Sequence, residues 1–217
     1  MAVPLSPSRL VAGLLLAALL AGCKDTTAPR RAEPIPIPSP STPENLVKAI
    51  EVIYNDKLRT KDERVTAYDS LFAPTFRFFI QPVDQEHGLP ESWGIATEIE
   101  AHEGMFKAQA EHRIYSLTLS VVHDPARPLY PPEVGREGWM EVFAASVNLR
   151  LLSNPNDGLE VNGAQGRFKM FQVPPPAGRW YIGEWVDLPR PEPLRPRGAA
   201  AVESSTWGSI KALFLRP

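Results

Sequence analysis

An imidazole and a carboxylate are the side-chain types best suited to move a proton at neutral pH, because the first titrates near it unperturbed and desolvation raises the second toward it. His102 falls on an apolar stripe with Ile99 and Phe106 at helical spacing. Glu184 shares strand parity with Trp180, Ile182 and Val186, whereas Trp185 and Asp187 take the opposite parity. If the Glu184 face turns inward, His102 and Glu184 form a proton-transfer pair. The competing reading makes His102 a hydrogen-bonded core residue and Glu184 a solvated or dimer-facing one. Around them, Tyr54, Phe76, Phe78, Trp93, Phe106 and Phe143 either line a ligand cavity or fill a core.

Other chemistry finds little material in the chain. Cys23 is the single cysteine, so an internal disulfide is excluded, and four scattered histidines show no metal-ligand spacing. The sequence has no G-x-G-x-x-G, P-loop, H-E-x-x-H, C-x-x-C or G-x-S-x-G pattern. No cofactor or metal is therefore expected. A formal charge of −2 offers no electrostatic case for nucleic acid.

The elements that must position these side chains begin after a proline-rich stretch. Residues 24–42 read KDTTAPRRAEPIPIPSPST, which predicts an extended tether, since alternating prolines forbid helix and lack ladder donors. Thr42, Pro43 and Glu44 are N-cap, first-position and first-turn residues of a helix carrying Leu46, Val47, Ile50, Ile53 and Tyr54. A Thr60–Glu63 capping box opens a second helix with Val65, Tyr68, Leu71 and Phe72 on one face. The aromatic run TFRFFIQ, residues 75–81, predicts a strand, and Ile95, Ile99, His102 and Phe106 mark a third helix. Four long strands follow, over 113–123, 139–152, 159–173 and 179–188, with Asn-Pro-Asn-Asp-Gly and Pro-Pro-Pro-Ala-Gly turns closing antiparallel hairpins. Long strands apolar on one face need a layer of helices against it. Beyond a proline- and arginine-rich spacer, Trp207, Ile210, Lys211 and Phe214 share a face that predicts a terminal segment docking back on the domain, or a partner-binding tail.

The string PENLVKAIEVIYNDK…YDSLFAPTFRFFI, with the closing GRWYIGEWVDL, resembles NTF2-like domains of the SnoaL and ketosteroid-isomerase group. The resemblance spans roughly residues 43–188 and implies an α+β cone, three N-terminal helices packed on a curved antiparallel sheet. Enzymes of that shape place a carboxylate base and an oxyanion-stabilising group inside the cone. At the start of the chain, Arg9 and the apolar run Leu10 to Leu20 have the length of a signal-peptide core, too short to span a bilayer. Leu20-Ala21-Gly22-Cys23 resembles a bacterial lipobox, which implies acylation of Cys23, cleavage before it, and a membrane anchor in the cell envelope. Lys24 after the cysteine resembles the outer-membrane sorting pattern. The tether, the SWG at residues 92–94 and the TWG.IK of residues 206–211 are also similar to other bacterial lipoproteins, a likeness that implies no activity.

The expected organisation is thus a signal over 1–22, a tether over 23–42, an NTF2-like domain over 43–189 and a spacer with a C-terminal segment over 190–217. The leading functional expectation is a non-catalytic module that binds a small apolar ligand or a partner. The alternatives are a SnoaL-like isomerase or hydrolase, and a structural component that forms a homodimer through its sheet.

Overall fold

A computed structural model describes residues 32–154, 157–176, 178–189 and 206–215. The signal, Cys23 and the spacer 190–205 lie outside the described residues.

Helix α1 (Pro43–Asn55) starts where the Thr42 hydroxyl accepts from the Asn45 N–H at 3.2 Å. Its last turn carries no basic residue of its own. Arg64, in α2 (Lys61–Asp69), supplies one instead: its Nε donates to the Ile53 carbonyl and its Nη2 to that of Tyr54, each at 2.9 Å. Those are carbonyls a helix end leaves orphaned, so the buried guanidinium fixes the end of α1 and the backbone of Tyr54. The Thr60–Glu63 capping box forms as read.

Strand β1 (Phe72–Phe79), a short α3 (Pro82–Glu86) and β2 (Ser92–Gly94) lead into α4 (Ile95–Ala110). Then come β3 (Ser116–His123), β4 (Arg127–Pro128), β5 (Met140–Asn154), β6 (Asp157–Val173), β7 (Arg179–Leu188) and α5 (Trp207–Leu213). The sheet runs β2-β1-β7-β6-β5-β3, with β4 on β5. All pairings are antiparallel except β1 with β7, which is parallel. Helices α1 and α4 pack on one face of this curved, unclosed sheet, with α2 packed against both helices, giving an α+β cone. The core between the layers holds Leu46, Ile50, Tyr54, Phe76, Phe78, Phe106, Leu117, Leu149, Phe168 and Trp185.

Two bulges bend the sheet and reverse strand parity. On β5, Ala144 pairs with Gly166 but Val147 pairs with Ala164, so β5 carries one extra residue. Val142 and Ala144 are buried before it, Val147, Leu149 and Leu151 after it. The continuous alternation expected through Phe143, Ala145 and Val147 therefore breaks, and Phe143 lies half-buried off the inner face. On β7, Lys169 pairs with Glu184 and Met170 with Ile182, leaving Gly183 as the extra residue. Ile182 and Trp185 both face the core, while Glu184 turns to the outer face. The inward Glu184 expected from its parity with Ile182 is corrected by this one residue.

The tether is also shorter than its composition suggests. The Ile35 N–H donates to Asp56 at 3.1 Å, Arg59 donates to the Ile35 carbonyl at 2.7 Å, and Trp180 donates its backbone N–H to Pro40 at 3.0 Å. Ile37 packs against the core. Residues 35–40 thus pack on the domain that follows them.

Candidate functional site

His102 and Glu98 sit one turn apart on α4, with His102 entirely buried. The ring Nδ1 lies 2.7 Å from the Glu98 carbonyl oxygen. That oxygen can only accept, so Nδ1 carries the proton and Nε2 is the acceptor for the Tyr54 hydroxyl, its close neighbour. The Tyr68 ring stacks on the imidazole at 3.9 Å. Burial pushes His102 down to about 3, so the ring stays neutral across the physiological range. Burial likewise raises the Tyr54 and Tyr68 phenols well above their ordinary range.

The Glu98 carboxylate is the charged centre of the interior. Tyr68 donates to Oε1 at 2.9 Å, Trp93 donates its indole N–H to Oε2 at 2.8 Å, and Lys211 donates to Oε1 at 2.7 Å. Burial pushes Glu98 up, but Lys211, the neighbouring His102 and the Trp93 N–H outweigh it and hold the group below the usual carboxylate range. Lys211 comes from α5, the docked C-terminal helix. Its ammonium is 1 % exposed and sits 3.8 Å from the Phe78 ring centroid, 4.2 Å from Trp185 and 5.3 Å from Trp207. Burial lowers it to about 8, against the pull of Glu98 and Asp187.

Helix α5 is placed by a second polar group. Thr206 caps it, accepting from the Ser209 N–H at 2.9 Å, and donates its hydroxyl to Asp84 at 2.5 Å. Asp187 accepts from the Gly208 N–H at 3.3 Å and from Gln81 at 3.4 Å. Burial raises Asp187 to about 7. Trp207 then lies 5.2 Å from Trp185 and 5.9 Å from Tyr54, centroid to centroid. The inner end of the cone is filled by the chain's own terminus.

The structure does not bring His102 and Glu184 together. Glu184 is on the outer face, bidentate to Arg136 and 3.4 Å from Lys169, with Glu133 bridging both cations. Of the expected cavity rings, Tyr54, Phe76, Phe78, Trp93 and Phe106 are buried inside, and Phe143 is not among them. Sequence reading missed Glu98, although it precedes His102 by four residues on the same helical face. It placed Lys211 on the docking face four residues after Trp207 without giving it a role. Two clefts lie elsewhere: one of about 700 Å³ around Asn55, Asn148 and Arg150, and one of about 600 Å³ around Phe72, Ile95 and Tyr181. Neither is lined by Glu98 or Lys211.

No family model matches the chain, and no curated protein does. Among solved structures, the chain is similar to a protein provisionally assigned as an aromatic ring hydroxylase from Novosphingobium aromaticivorans, at 12% identity and TM-score 0.45, over 67% of this chain and 87% of that one. It is also similar to a protein of unknown function from Mycobacterium tuberculosis, at 9% identity and TM-score 0.43, over 78% and 89%. A provisionally assigned scytalone dehydratase from Novosphingobium aromaticivorans aligns at 10% identity and TM-score 0.43, over 73% and 92%.

Proposed function

We propose that the protein is a lipoprotein of a bacterial cell envelope, held to its membrane by lipid on Cys23, and that its NTF2-like domain is a non-catalytic binding module. One observation carries the second half: Trp207 and Lys211 occupy the space in front of Tyr54, His102 and Glu98. A general base works best with a pKa near the working pH, and an imidazole at about 3 facing a neutral phenol is far from that. Two acyl chains or more on Cys23 would give lasting attachment, since each buried CH₂ contributes about 0.8 kcal/mol.

The enzyme reading draws on the Tyr54-to-His102 hydrogen bond, which aims a phenol at the cone with an acceptor behind it. With α5 docked, that hydroxyl is already spent on His102. The two readings separate in one assay. The full chain and Trp207→Ala are incubated with small apolar ketones and alcohols, and both thermal shift and product mass are read. Stabilisation without product is expected; product lost again in Tyr54→Phe would overturn the module reading. The anchor is checked by mass spectrometry of the mature protein: an acylated Cys23 is expected, and an unmodified thiol would refute it.

A further inference from the structure

We infer that the interior of the cone is a binding site for a small primary alkylammonium, with the Lys211 side chain as its resident stand-in. The inference rests on the reading of the domain as a binding module and names the ligand class. The geometry around the Lys211 Nζ is that of a cation box: a carboxylate oxygen at 2.7 Å and two ring faces within 4.2 Å. Ring faces attract cations through their quadrupole, most strongly where water is excluded. Apart from Trp207, the groups around the ammonium belong to the sheet and α4 and not to α5: Phe78 on β1, Glu98 on α4 and Trp185 on β7, with Trp93 on β2 behind Glu98. The carboxylate is also aimed in advance. Tyr68 and Trp93 hold both of its oxygens independently of α5, which lowers the ordering cost of taking up a cation.

The helix that now fills the box fits it imperfectly. The Trp207 indole N–H is buried with no hydrogen-bond partner among the described residues, and an unmade bond of that kind is costly. Lys211 is a buried charge, which an apolar plug of the same volume would avoid. Both costs vanish when α5 leaves, so a ligand that restores the Glu98 contact competes on favourable terms. The ligand class follows from the contacts. An anion meets Glu98. A neutral molecule leaves Glu98 buried and unpaired. A quaternary ammonium forgoes the N–H donor that Lys211 uses. A primary ammonium on a short apolar stem reproduces every contact.

The test uses the full chain carrying Lys211→Ala, which keeps Cβ and the helix but removes the part of the side chain that n-propylammonium replaces. n-Propylammonium is expected to raise the melting temperature of Lys211→Ala saturably, with an apparent affinity at least about tenfold tighter than for the wild type, where the resident ammonium competes. Propan-1-ol of the same length should do little, and adding Glu98→Gln should abolish the effect. No rise, or an equal rise with propan-1-ol, overturns the cation site; the second result still leaves a binding cavity and so spares the module reading. Product formation in the ketone and alcohol assay would do the reverse. Should Lys211→Ala not fold, the wild-type chain is titrated at higher n-propylammonium concentration while the indole N–H resonances are followed. Those of Trp93 and Trp207 should shift together. Resonances that stay still overturn the inference.

Discussion

Glu98 and Glu184 are both buried glutamates with cationic partners, yet they face opposite sides of the same sheet. Glu98 points into the cone and takes its cation from the chain's own terminus, through a lysine 1 % exposed. Glu184 points outward to Arg136, whose side chain is 29% exposed, in a cluster with Lys169 and Glu133. The outer cluster can exchange any member for water. The inner one cannot, so each inner group depends on the others being present. An ion pair therefore couples α5 to the cone, whereas its counterpart on the other face only trims the surface.

The largest expected effect breaks the inner pair. Lys211→Met keeps most of the stem and leaves Glu98 without its cation, which should cost about 3–5 kcal/mol in denaturant unfolding. Glu98→Gln added to it should return most of that loss, because the uncompensated charge goes with it. Arg136→Met on the outer face should cost about 1 kcal/mol or less, as Lys169 and water remain for Glu184. Similar losses on the two faces would dissolve the contrast.

The next effect is expressed over a pH window. Asp187 faces Gly208, Gln81, Asp84 and Lys211, and burial raises it to about 7 from an ordinary 3.8. A raised pKa means the fold favours the protonated form. That contribution is fully present below about pH 4 and is lost as pH rises through about 7. His102 has the opposite sign: lowered to about 3, it contributes above 6.5 and is lost as pH falls toward 3. Asp187→Asn isolates the first. The variant should gain on the wild type between pH 4 and 8, read as the difference in unfolding free energy, and a constant difference would show that Asp187 titrates normally.

Smaller again is Tyr54→Phe, which leaves His102 Nε2 buried without a donor. It should cost about 1–3 kcal/mol, measured by the same denaturant titration. A loss near zero would mean that water reaches the ring, contrary to the closed cone.

Much of this arrangement was legible in the sequence, and what was not has a common cause. Helix caps at Thr42 and Thr60 and the apolar stripes through Tyr54, Tyr68 and Phe106 are local signals, and local hydrogen bonding fixes them. Strand parity is local only while pairing is continuous. Ala144 and Val147, and Ile182 and Glu184, straddle extra residues whose presence depends on the neighbouring strand's register. Phe143 and Glu184 were misplaced for that one reason. Lys211 reads as part of the docking face but its role does not, because a buried lysine needs a specific carboxylate, and that carboxylate is 113 residues away in the chain.

The smallest perturbation contrasts two glycines, one per face. A methyl on Gly104 of α4 would lie 2.9 Å from the Phe214 carbonyl oxygen and 3.0 Å from its Cβ, at the end of α5. A methyl on Gly183, at the β7 bulge, would lie 2.5 Å from the far edge of the Trp139 indole on the outer face. The Trp139 contact is closer, but it is made by the tip of a half-buried side chain stacked on Phe171, which can swing away. The Phe214 contact involves backbone, so α5 itself must shift. Alanine is also the better helix former in α4, by about 1 kcal/mol. Gly104→Ala should therefore change global stability little while loosening α5. Amide hydrogen exchange in 207–215 should quicken about tenfold, a loss near 1.4 kcal/mol of local protection, with α4 unchanged or slower. Gly183→Ala should leave exchange in α5 as it was. Equal exchange in α5 for Gly104→Ala and wild type would show that the terminus has room to spare and is not the tight closure of the cone.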